Sequence, residues 1–284
     1  MTGSIPNRLA GLATILAAFA AAVGLVVPGL YRDAPFWAQQ ARGTDLATLF
    51  VAVPLLAIGM WTARRGSAAG RLAVVGGLLY VVYNYAIFAF SVAMNPLTVV
   101  HFAIFGLALW SLILGAASLA LTDDVEAVTE RLNRRLSAGL LIGVAALFGL
   151  LWLGQIATAI STGAVPADLA RAGLSTNPVY ALDLAVFLPL CALAGLGLLR
   201  RNRGADFALP MLVWVPLMGA GVLGGFVFAA LAGEEIPTAV AAVIAALSIA
   251  SALLASGGIG RPASLPVSAT RPGAQATRSA HQGG

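Results

Sequence analysis

The chain has 284 residues, 60% of them apolar and 10% charged, with a mean hydropathy of +0.94. No water-soluble fold hides that much apolar surface, and the ten-residue alternating segments of a transmembrane barrel are absent. The excess of basic residues, 16 against 11 acidic, is accounted for by where the arginines fall and does not call for nucleic acid.

Apolar runs of at least about 18 residues recur along the chain. Bounded by charges, Pro and Gly, they predict an all-α transmembrane bundle of eight spans, at 9–30, 45–63, 71–94, 98–121, 137–160, 180–199, 207–231 and 237–256. With the N-terminus inside, thirteen arginines fall in inside segments, and only Arg32, Arg42 and Arg171 fall outside. That bias predicts that both termini are cytoplasmic.

Span 1 follows Arg8 and contains Ala18-Phe19-Ala20, a pattern shared with cleaved signals. Its apolar stretch of about 20 residues suits a retained span better. The segment that follows, "YRDAPFWAQQARGTD", concentrates Arg32, Asp33, Gln39, Gln40, Arg42 and Asp45, with Tyr31 and Trp37 suited to the headgroup belt. Pro35 is placed to open a short helix lying at the outer interface.

Span 3 contains "YVVYNYAIFAFSVAMNP". Tyr80, Asn84, Phe88 and Ser91 share one helical face, with Tyr83 beside it, and Asn84 lies near the bilayer midplane. An amide at that depth turns away from lipid and seeks partners in the bundle. Asn95 and His101 flank the start of span 4, so these groups together form a candidate polar vestibule. The bland alternative is that Asn84 only pins two helices together, worth about 0.6 kcal/mol.

The linker "TDDVEAVTERLNRRL" predicts an amphipathic helix along the inner membrane surface. Asp123 and Glu126 have capping-box spacing, Val125, Val128, Leu132 and Leu136 form an apolar stripe, and Glu130 pairs with Arg134 at i,i+4. The chain thus divides into a first half, 1–121, a linker, 122–136, a second half, 137–257, and a tail, 258–284. The tail has too few apolar residues to fold, and His281 within it is expected to be inert.

"DLATLFVAVPLLAIGMWTARRG" from Asp45 resembles "DLAVFLPLCALAGLGLLRRNRG" from Asp183. Each runs from Asp-Leu through a mid-span proline, Pro54 or Pro189, to an arginine pair. This predicts a 4+4 tandem of parallel halves. The aspartate-to-proline spacings differ, nine against six. Span 7 places Ala220 where span 3 has Asn84, and carries Pro210, Pro216 and glycines instead. The second outside segment keeps Asp168, Arg171 and Asn177, and Gln155 is a further candidate lining group. Asp45 and Asp183 are read either as helix N-caps or as proton or cation ligands.

At "YRDAPFWAQQARGTDLATL", "LLYVVYNYAIFAF" and "STNPVYALDLAVFLP" the chain resembles a family of bacterial polytopic integral membrane proteins without an established activity. The resemblance implies a bacterial inner-membrane location and carries over no catalytic or binding role.

The candidate solute-binding residues are Tyr80, Tyr83, Asn84, Ser91, Asp45, Asn95, His101 and Arg42. No HExxH or GxSxG motif, metal-ligand cluster or cofactor motif occurs, and Cys191 stands alone. The favoured expectation is a small-solute transporter whose partners are membrane lipids and a small molecule. An accessory membrane subunit comes next, and last an enzyme using His101 and Asp45 on a lipid headgroup.

Overall fold

The computed structural model describes residues 5–119, 124–174 and 176–259. Every regular element among them is helical. Eight helices are long and apolar enough to cross a bilayer, which makes the chain a multi-pass integral membrane protein. They run Ile5–Val26, Pro35–Arg64, Ala68–Ser91, Thr98–Leu119, Arg134–Thr162, Pro178–Arg200, Arg203–Leu231 and Thr238–Ile259, and are called spans 1 to 8. In hydrocarbon each backbone amide must be paired within its own segment, so long apolar runs become helices.

Three boundaries differ from the sequence reading for local reasons. Span 2 opens ten residues before Asp45, because Pro35 occupies the first turn and nothing after it stops the helix. Gln39, Gln40 and Arg42 are therefore rungs of a 30-residue helix and not part of a separate short helix at the interface. The linker helix covers only Asp124–Thr129, because Asn133 caps span 5 by accepting the Leu136 N–H at 3.2 Å. Leu136 consequently sits in span 5 and is 61% exposed, while Val125, Val128 and Leu132 are buried. The stripe plugs the arginine-rich end of the bundle against spans 3, 7 and 8 instead of resting on lipid. Asp123 and the tail from residue 260 lie outside the described residues.

Spans 2 and 6 share a joint. A wide π turn, Thr48–Ala52 or Asp183–Phe187, begins six residues before Pro54 or Pro189. Proline lacks an N–H and crowds the carbonyl four residues earlier; the wider turn relieves both. Aligned on these prolines, Asp183 matches Thr48 and Asp45 matches Tyr180, which explains the unequal spacings. Neither aspartate caps a helix, since both spans open earlier, at Pro35 and Pro178.

Spans 3 and 7 are the most buried and form the central pair. Small residues let the backbones meet closely, as membrane helices require. A Cβ on Gly76 would stand 2.6 Å from the Pro210 carbonyl oxygen, and one on Gly43 of span 2 would stand 1.9 Å from the Gly225 nitrogen. Span 8 joins through Ser251, whose hydroxyl donates to the Leu212 carbonyl at 2.8 Å. Span 4 joins span 1 through Ser111 to the Pro6 carbonyl, also at 2.8 Å.

Candidate functional site: two buried carboxylates and an end cavity

Asp45 lies twenty residues before Arg65, about 30 Å along a helix at 1.5 Å per residue. That places it near the arginine-poor boundary of the hydrocarbon core. It is only 1% exposed. Its Oδ2 accepts a 2.6 Å hydrogen bond from the Tyr31 hydroxyl and rests against span 1 at Gly24, where a Cβ would stand 1.9 Å away. Among the described residues no cation lies within salt-bridge distance of it. One turn deeper, the Thr48 and Tyr80 hydroxyls share a 2.9 Å hydrogen bond, and Tyr80 also donates to the Thr44 carbonyl.

A second carboxylate, Asp183, lies beside span 3 at Tyr83, three residues along from Tyr80. Asp183 accepts from Trp152 Nε1 at 2.7 Å and lies within hydrogen-bonding reach of the Tyr83 hydroxyl. Around it, Phe187 stacks on Trp214 at 5.0 Å, and Tyr83 meets both rings edge-on. Trp152 stacks on Tyr180, whose hydroxyl hydrogen-bonds Gln155. Asp45 and Asp183 are thus both buried carboxylates with aromatic donors, and span 3 places a tyrosine near each of them.

The predicted strip of span 3 divides between these neighbours. Asn84, 5% exposed, donates to the Tyr80 carbonyl at 3.0 Å and to Met218 Sδ of span 7 at 3.5 Å. It lines neither end cavity and sits in a helix contact. Phe88 packs on Tyr31, Tyr85 and His101. His101 lies inside span 4, 1% exposed, with no partner for Nδ1 among the described residues. Asn95 shapes the turn before span 4: its Oδ1 accepts from the Leu97 N–H at 2.9 Å. Ser91 contributes its carbonyl, which accepts from Trp37 Nε1. The residues that meet Asp45, Gly24 and Tyr31, and the ring under Arg42, Phe228, come from other elements, and no spacing within one segment signals them.

The loop between spans 1 and 2 is fixed from below. Asp33 accepts from the Ala93 N–H at 2.8 Å; burial pushes its carboxyl above the usual range, partly offset by that bond. Tyr31 is pushed up by burial first and by the nearby Asp45 charge second.

Beside this loop a cavity of about 270 Å³ opens between spans 1, 2 and 7. Gly24, Val27, Leu30, Tyr31, Arg42 and Phe228 are among its walls. The Arg42 guanidinium lies 4.4 Å above the Phe228 ring. Gln39, also in the wall, donates to Glu234 at 2.7 Å, and Glu234 pairs with Arg171 at 3.4 Å. A second, more open cavity of about 470 Å³ lies at Arg171, Glu234 and Glu235. Among the described residues no group of three or more His, Cys, Asp or Glu side chains lies together to hold a metal.

These features define an all-α multi-pass membrane protein with two buried carboxylates, Asp45 and Asp183, and a cavity beside Asp45. No protein-family model, curated protein or solved structure matches the chain.

Proposed function

We propose that the chain is a small-solute permease of the bacterial inner membrane, with both termini cytoplasmic and the 270 Å³ cavity opening outward. The observation that carries this reading is Asp45. It is a carboxylate at membrane depth with no cation in salt-bridge contact among the described residues, held by one tyrosine hydroxyl, and its cavity-side neighbours are Gly24 and Tyr31. Intramembrane carboxylates of this kind serve proton or cation pathways by default.

The proline and π-turn joints of spans 2 and 6 support the reading, because each relaxes the helix ladder within its span. Their common register also supports a tandem of two parallel halves. In this scheme a solute enters between spans 1, 2 and 7, and a proton taken by Asp45 frees Tyr31 to turn. Bending at the joints then passes the solute inward.

The test is flux into proteoliposomes carrying a trapped pH dye, with a panel of small carboxylic acids, amino acids, amines and sugars. At least one solute gradient should drive proton movement with the wild-type chain, and Asp45→Asn should abolish it while eluting as a monodisperse particle. Fluxes equal to those of empty liposomes across the panel would remove the permease reading.

A further inference from the structure

The nature of the solute can be read from the groups that the cavity offers. Its walls are mainly apolar, with Val27, Leu30, Phe228 and Ala232 among them. The polar donors there other than Arg42 are committed: Tyr31 donates to Asp45, and the Gln39 amide nitrogen donates to Glu234, while the Gln39 Oε1 is an acceptor without a partner among the described residues. Arg42 is different. It is exposed, it lies over the Phe228 ring, and among the described residues it has no hydrogen-bond acceptor and no carboxylate within salt-bridge distance.

The contrast with Arg171 is informative. Arg171 also lies over a ring, Phe36 at 4.8 Å, yet it is neutralised by Glu234. The carboxylate one turn along from Arg42 is Asp45; the two charges attract each other across a gap longer than a salt bridge, and the hydrogen bond of Asp45 goes to Tyr31. Arg42 is thus a guanidinium with five donors on the wall of an apolar cavity, held flat by an aromatic ring; it feels the Asp45 charge from beyond salt-bridge distance, and no acceptor among the described residues takes its N–H groups. Planar carboxylates match that fork in two parallel hydrogen bonds. The volume, about 270 Å³, lies below the roughly 300–1,000 Å³ of drug-sized sites, so the occupant is small.

We propose that the cavity binds a small monocarboxylate with a short apolar tail, its carboxylate on Arg42 and its tail against Val27, Leu30 and Phe228. This rests on the cavity being the solute site of the proposed permease. Uptake of such an anion with one proton at Asp45 moves no net charge, so Asp45 and Arg42 would work as a pair.

The test uses the full chain in detergent micelles and three isosteric probes: 3-methylbutanoate, 3-methylbutanamide and 3-methylbutylamine. The carboxylate alone should raise the unfolding temperature in a saturable way. Arg42→Gln should weaken its binding at least about tenfold, the expected loss of a charge-assisted pair. Ala232→Phe, which fills the cavity without touching the charge, should weaken it as well. Equal binding of the amide or amine, unchanged binding in Arg42→Gln, or no binding of any probe would overturn the proposal. Stabilisation by added phosphatidylglycerol and not by 3-methylbutanoate would overturn it too, in favour of a lipid headgroup on Arg42. Carboxylate binding without flux would sink the permease reading alone, whereas flux of another solute without carboxylate binding would sink this inference alone.

Discussion

Replacing Gly43 by alanine tests whether the bundle is built on the backbone contact between spans 2 and 7. The added Cβ would meet the Gly225 nitrogen at 1.9 Å, and the Gly224 carbonyl carbon and Gly225 Cα at 2.5 Å. All three are backbone atoms, so no side chain can swing aside. To reach the roughly 3.4 Å of ordinary contact the helices must part by about 1.5 Å. Overpacking costs about 1–3 kcal/mol, and a clash with rigid backbone belongs at the upper end. At about 2–4 °C per kcal/mol, a fall of about 6–12 °C in the unfolding temperature is expected. Gly106→Ala is the matched control, since a Cβ there meets nothing within 4 Å and alanine is the better helix former. Thermal unfolding of both variants in the same detergent decides the matter. A Gly43→Ala protein as stable as the control would refute the close approach of spans 2 and 7, and with it the cavity between spans 1, 2 and 7.

Tyr31→Phe removes the donor to Asp45 and leaves a buried carboxylate with a lost bond, a cost of about 1–3 kcal/mol; Tyr31→Phe with Asp45→Asn should recover part of it in the same unfolding assay. Asn84→Ala should cost about 0.6 kcal/mol and leave any solute flux within twofold, because its amide serves a contact with Met218; abolished flux would return Asn84 to the binding site. Asp33 titrates higher in the folded chain than in the unfolded one, so its contribution to stability is greatest below about pH 4 and falls as pH rises through the raised value. Asp33→Asn keeps an acceptor for the Ala93 N–H without the charge. Its unfolding temperature relative to wild type should therefore be higher at pH 7 than at pH 4, and a difference independent of pH would contradict the burial of that carboxyl.

Most of the secondary structure was legible in the sequence, and the reason is local. A segment in hydrocarbon must satisfy its own backbone, so apolar length alone fixes the number of spans and nearly all their limits. The exceptions are equally local. Pro35 was legible as a helix start, but that this helix continues as span 2 was obscured by the polar residues after it, and Asn133 sets a start hidden among the charges of the linker. Of the candidate site, Asp45 and Arg42 were identifiable as polar groups at a span end. Their roles were not, because Tyr31, Gly24 and Phe228 reach them from other elements. His101 and Asn95 read as vestibule residues, yet one is packed among aromatic rings and the other shapes a turn.

What the sequence determined by itself is an eight-span membrane protein with polarity concentrated at the arginine-poor end and along span 3. What only the tertiary structure decided is which faces meet. Asn84 is spent on Met218 and Tyr83 is turned toward Asp183, while Asp45 is closed by Tyr31 over a glycine and Arg42 lies over a ring with no carboxylate in salt-bridge contact among the described residues. The physical reason is that lipid is as apolar as leucine, so hydrophobicity drives a helix into the membrane without choosing its neighbour. Shape does the choosing, through glycines such as Gly43, Gly76 and Gly225 whose contacts lie far apart in the chain.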